Sequence, residues 1–120
     1  MGDFRKLIAF KKAFTLSMKI FDLQKSFPVE ERYDLCSQMK RSSRSVCSSI
    51  GEAYRKRKYP AHFISKLTDA DMENTETQVW ADYALNCKYI DQKTYSELIK
   101  VSEKIGKLIN YMIENPNKFS

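Results

Sequence analysis

Between Leu35 and Lys58 the chain reads LCSQMKRSSRSVCSSIGEAYRKRK, and within it Cys36, Met39, Ser43, Val46, Ile50 and Ala53 follow one another at alternating spacings of three and four. That spacing puts six small or apolar side chains on one stripe of a helix, where a strand would scatter them over both faces. The six serines from Ser37 to Ser49 are poor choices for an isolated helix, because their hydroxyls compete for backbone hydrogen bonds. Their small size instead suits a helix that neighbours approach closely. Only 3 glycines and 3 prolines occur in 120 residues, so few places exist where helices can stop.

The remaining segments repeat the pattern. Phe4 to Lys25 forms a first helix with two apolar groups: Phe4, Leu7, Phe14, Met18 and Phe21 on one side, and Ala13, Leu16, Ile20 and Leu23 nearly opposite. One group serves the core; the other either packs a second neighbour in the same subunit or forms an oligomer surface. Pro28, Glu30 and Glu31 suit the start of a second helix over 29–58, and Pro60 both ends it and opens a third over 60–88. In that third helix Phe63, Leu67, Ala70, Asn74, Thr77, Ala81 and Ala84 continue the three-four alternation, with Trp80, Tyr83 and Cys87 beside them as further core candidates. Asp91 is a candidate N-cap for a fourth helix over 92–114, whose buried face is supplied by Tyr95, Leu98, Ile99, Ile105, Leu108, Ile109 and Met112. Short connections force consecutive helices to run antiparallel. The expected fold is all-α, a single antiparallel up-down-up-down four-helix bundle domain over 1–120.

Charge separates along this order. Met39 to Lys58 holds Lys40, Arg41, Arg44, Arg55, Lys56, Arg57 and Lys58 against Glu52 alone, whereas Tyr59 to Cys87 holds Asp69, Asp71, Glu73, Glu76 and Asp82 against Lys66. The net charge is +6. The seven cations, with Lys11, Lys12 and Lys19, are candidates for binding the phosphates of RNA or DNA, since each neutralised phosphate releases counterions. The alternative is that they pair with the acids of the third helix or of a neighbouring subunit. Flanking serines make Arg41 and Arg44 the better structural candidates, and Arg55 to Lys58 the better phosphate site.

Catalytic and metal chemistry find little support. The single histidine, His62, excludes the paired Glu-x-x-His ligands of a di-metal bundle, and no Gly-rich phosphate loop or nucleophile triad occurs. Arg57 and His62 have the Arg-x4-His spacing of HEPN ribonucleases, but Pro60 lies between them and splits them across a helix junction. No metal or other cofactor is expected. Cys36, Cys47 and Cys87 form neither an even disulfide set nor a CxxC pattern, and no segment has the eighteen apolar residues of a membrane span. A soluble, cytoplasmic protein is expected.

Several stretches in order also resemble a known family. Phe27-Pro28 with Glu31-Arg32-Tyr33, Arg41-Ser42-Ser43-Arg44-Ser45-Val46, Ile50-Gly51-Glu52-Ala53-Tyr54-Arg55-Lys56-Arg57, Glu76-Thr77-Gln78-Val79-Trp80 and Cys87-Lys88-Tyr89-Ile90 are similar to the 23S rRNA intervening-sequence four-helix bundle proteins. The chain departs from their commonest pattern at Ser49, where many have Asn, and at Ala70-Asp71, where many have Gly-Ser. The resemblance implies a helical bundle assembled as a ring-like homopentamer, with no known reaction. A related branch, the accessory variability proteins of diversity-generating retroelements, is associated with nucleic acid and a reverse transcriptase. Two functions follow as expectations: a homo-oligomeric nucleic-acid binder, or a structural scaffold whose partner is another protein.

Overall fold

In a computed structural model that describes residues 2–120, the four expected helices are α1 (Ile8–Leu23), α2 (Leu35–Arg55), α3 (Pro60–Asn86) and α4 (Gln92–Glu114). Cross-helix bonds fix their directions. Cys47 Sγ approaches the Phe10 carbonyl and Gln24 Nε2 donates to the Cys36 carbonyl, so α1 and α2 run antiparallel. The same holds for α2 and α3, which join Ser42 to Thr77 and Glu52 to Lys66, and for α3 and α4, which join Asn74 to Ser102 and Asp82 to Tyr95. Lys19 on α1 bonds Glu97 on α4 at 3.0 Å and closes the four-helix ring. The longest helix, α3, has 27 residues, about 40 Å at 1.5 Å per residue, and sets most of the molecule's 44 Å length.

On α2 and α3 the core is where the spacing placed it, whereas on α4 Tyr95, Ile99 and Leu108 are half-buried and Ser102 is buried in addition. All seven α3 seam residues are buried, as are all six of α2. Ile20, Met39, Ile50, Phe63, Leu67, Ile105 and Ile109 are its most enclosed apolar side chains. Burying one such side chain is worth about 1.5–3 kcal/mol. Four seam positions on α2 and α3 are Ser43, Thr77 and the alanines Ala53 and Ala70, and a fifth small residue, Ser42, lies beside them fully buried. These short side chains bring α2 and α3 together over the most extensive helix pair in the fold.

Helix ends differ from the sequence expectation in several places. The first helix does not begin at Phe4: a 3-10 turn over Phe4–Lys6 is followed by extended Leu7, which seats the Phe4 ring 3.2 Å from where a Cβ on Gly51 would lie. The second helix begins at Leu35 rather than 29, because a 3-10 turn over Val29–Glu31 places the Glu31 carboxylate to accept from Leu35 N. It ends at Arg55 rather than Lys58. The third helix ends at Asn86, where Lys88 takes φ 65° and the N–H groups of Lys88 and Tyr89 return to the carbonyls of Leu85 and Ala84.

Candidate nucleic-acid interface

The seven candidate cations divide into three groups. Arg41 reaches across to α3, where its guanidinium bonds Glu73 at 3.2 Å and also bonds Glu76. Glu76 accepts a second bond from Trp80 Nε1 at 3.1 Å, so this cation is committed to the α2–α3 contact. The lone base of α3 and the lone acid among the α2 cations repeat the arrangement in reverse: Lys66 bonds Glu52 at 2.9 Å, which raises the lysine pKa. Lys40 and Arg44 point to the other side of α2 and stand over the Phe21 ring at 5.5 and 5.7 Å, joined there by Lys25 at 5.6 Å.

The third group is the run from Arg55 to Lys58, and it lies mostly beyond the helix. Only Arg55 belongs to α2; Lys56 caps it, and the N–H groups of Arg57 and Tyr59 turn back to the carbonyls of Tyr54 and Lys56. The turn is favoured because Pro60, at the first position of α3, keeps the preceding Tyr59 out of helical geometry, at φ −119° and ψ 89°. Arg57 is half-buried: its guanidinium donates to the Tyr54 carbonyl at 2.9 Å and lies 4.2 Å from that ring's centre. Arg55, Lys56 and Lys58 are exposed, and among the described residues none of the four forms an ion pair. The cluster is thus a tight turn carrying four uncompensated charges, about 25 Å along the helix from Lys40. Of the α1 lysines offered as support, Lys19 is already paired with Glu97.

The electrostatic opposite lies between α2 and α3. A groove of about 410 Å³ there is lined by Ser45, Ser48, Glu52, Asp69, Glu73 and Glu76, with Lys66 as its one base. Phosphate is repelled from this face. Of the seven candidate cations, Arg41 borders this acidic face, while the turn and the pair over Phe21 lie away from it.

The α1 stripe splits. Phe4 packs edge-on against Phe10 at 5.0 Å and is partly covered, as is Leu7, but Phe14, Met18 and Phe21 are 53, 48 and 36 % exposed. Phe21 is partly covered by Lys40 and Arg44 of α2, while Phe14 and Met18 are left half exposed. Trp80 and Tyr83 also differ from expectation: Trp80 is half-buried and Tyr83 is 56 % exposed, so the pair flanks the core instead of joining it.

The chemistry weighed for catalysis is not assembled. Arg57 is occupied by Tyr54, and His62 sits exposed on the first turn of α3 with its ring edge-on to Tyr59. No hydrogen bond joins them among the described residues, and no three His, Cys, Asp or Glu side chains there converge as a metal site. Cys36 and Cys47 are buried and Cys87 is exposed; burial pushes the Cys47 thiol up to about 11, far from the thiolate a nucleophile requires. No helix is long and apolar enough to cross a membrane.

Four antiparallel helices joined by short turns, with charge concentrated on separate faces, define a four-helix bundle protein whose usable features are surfaces. The family model of the 23S rRNA-intervening sequence protein matches residues 5–111, and the chain belongs to that family. A crystal structure of a protein of unknown function from the S23 ribosomal protein family, from Bacteroides thetaiotaomicron VPI-5482, is similar to it. That structure aligns with a TM-score of 0.80 and 28 % identity over 89 % of this chain and 96 % of that one. No curated protein matches. The family takes its description from the rRNA intervening sequence and not from a reaction.

Proposed function

We propose that this protein is a non-enzymatic, cytoplasmic bundle that assembles as a homo-oligomer, a pentamer by family resemblance, and binds RNA or DNA phosphates through Arg55, Lys56, Arg57 and Lys58. One observation carries the reading: these four cations have no carboxylate partner, while Arg41, fourteen residues earlier on the same helix, is bound by two. What sets these four apart from other unpaired cations is that they are consecutive on one exposed turn with no acid among them. Long side chains on an exposed turn reach phosphates without desolvating a core, and several copies in one assembly would multiply the contacts. Lys40 and Arg44 give a secondary site beside Phe21, and Arg41 is excluded from the interface.

A second reading, a scaffold for another protein, is favoured by the exposed Phe14, Met18 and Phe21. The two are separated by a mobility-shift titration of the purified protein on single-stranded RNA and DNA at about 50 mM salt, where multi-phosphate binding is strong. Binding to either polymer supports the first reading; no shift with either supports the second.

A further inference from the structure

At the end of the bundle opposite the basic turn, the exposed Tyr83 and half-buried Trp80 form one wall of a pocket of about 330 Å³ between α2 and α3. Their ring centres are 5.7 Å apart and their planes tilted by 42°. Tyr33, 83 % exposed, stands on the rim, and Glu31 and Asp34 supply two carboxylates. No lysine, arginine or histidine lines it, although the chain carries an excess of six positive charges. Arg41, which bonds Gln38 on the pocket wall, is drawn to Glu73 and Glu76 and does not line it.

The site is built, not merely open. Trp80 Nε1 is anchored on Glu76, which holds the indole in place. Glu31 is held from two directions, by Leu35 N and by the Tyr89 hydroxyl at 2.8 Å, a bond that pushes the Tyr89 pKa up to about 12. Each Glu31 oxygen retains a second lone pair for another donor. Asp34 precedes α2 as its N-cap, yet its side chain makes no capping bond and no ion pair among the described residues. One carboxylate is fixed and one is free, and both line the pocket that Trp80 and Tyr83 wall.

We infer that this pocket binds the guanidinium of an arginine side chain on a partner polypeptide. A flat cation with a fork of N–H donors matches both features at once, stacking on the rings while donating to the carboxylates. An ammonium is a compact charge that gains less from a ring wall, and a quaternary ammonium has no N–H for Glu31 or Asp34. The inference is independent of phosphate binding at the basic turn, because the two places lie at opposite ends of α2.

Trp80 is the only tryptophan, so its emission reports on the pocket directly. The full-length protein is titrated with a capped Gly-Gly-Arg-Gly-Gly peptide, with the citrulline version that keeps the shape and loses the charge, and with lysine and choline counterparts. The expected result is a saturable change with the arginine peptide, at least about fivefold weaker with each of the others. Asp34→Asn and Tyr83→Ala alter exposed side chains, so helicity is retained while arginine-peptide affinity falls at least about fivefold by calorimetry. Arg55→Gln with Arg57→Gln leaves it unchanged. No saturable response up to about 10 mM peptide, an equal response to citrulline, tighter binding of lysine or choline, or wild-type affinity in both pocket variants would overturn the assignment.

Discussion

Asn74 and Ser102 exchange two hydrogen bonds across the α3–α4 interface: Asn74 Nδ2 donates to the Ser102 carbonyl at 2.9 Å, and Ser102 Oγ donates to Asn74 Oδ1 at 2.8 Å. Both residues are buried, and Gln78 Nε2 adds a third bond to the serine hydroxyl at 2.9 Å. Apolar contacts tolerate sliding of one helix past the other; a reciprocal polar pair is satisfied in one register only.

Replacing Asn74 with Leu removes both bonds, leaves the Ser102 hydroxyl proton without its acceptor, and puts a larger side chain in a closed space. A loss of about 2–4 kcal/mol is expected in urea unfolding, with Ser102→Ala alone costing about 1–2 kcal/mol. The double substitution Asn74→Leu/Ser102→Ala should cost less than the two singles added together, because the second change removes a group the first left unpaired. Strict additivity would mean the pair is not coupled.

Lys88 is the one non-glycine residue with positive φ among those described, and it closes α3 in the position where glycine is usual. Lys88→Gly relieves the left-handed backbone at the cost of a more flexible unfolded chain, so a net stabilisation of about 0.5–1 kcal/mol is expected. Lys88→Val should destabilise by more than that, since a β-branched residue fits the geometry worst. Thermal melts of the two variants read the difference.

Much of this fold was legible because helical periodicity is set locally. The α3 alternation from Phe63 to Ala84 named every buried residue of that helix, and Pro60 and Asp91 marked helix starts by their own chemistry; Asp91 Oδ1 accepts from Thr94 N at 2.8 Å. The start of α2 was not legible, because the group that caps it, Glu31, is brought there by a 3-10 turn. The flanking serines marked Arg41 as structural, but that Arg44 would part from it was not legible. Arg41 and Arg44 differ by about 60° around α2, and that rotation sends one to the acids of α3 and the other to Phe21 on α1. The pocket at Trp80 and Tyr83 was hidden by the same helical spacing that marks core residues.

Self-association should depend on the part of α1 that remains uncovered. Met18→Glu places a charge amid Phe14, Met18 and Phe21 while leaving the core untouched, since Met18 is 48 % exposed. Light scattering is expected to show an assembly for the wild type and a 14.1 kDa monomer for the variant, with unchanged helicity. A wild-type monomer at micromolar concentration would leave the stripe without a self-association role.

If free cations bind phosphate and paired cations hold the bundle together, the salt dependence of RNA affinity separates the two roles. Affinity is measured from about 50 to 200 mM salt for the wild type, for Arg55→Gln/Arg57→Gln and for Arg41→Gln. The double variant is expected to bind more weakly with a salt slope shallower by about 1–2, because up to two phosphate contacts are lost, and to lose at most about 1 kcal/mol of stability with the Arg57 bond to the Tyr54 carbonyl. Arg41→Gln should keep the wild-type slope and lose melting temperature instead, since it releases Glu73 and Glu76. The reverse pattern, a shallower slope for Arg41→Gln and an unchanged one for Arg55→Gln/Arg57→Gln, would refute this division of the cations.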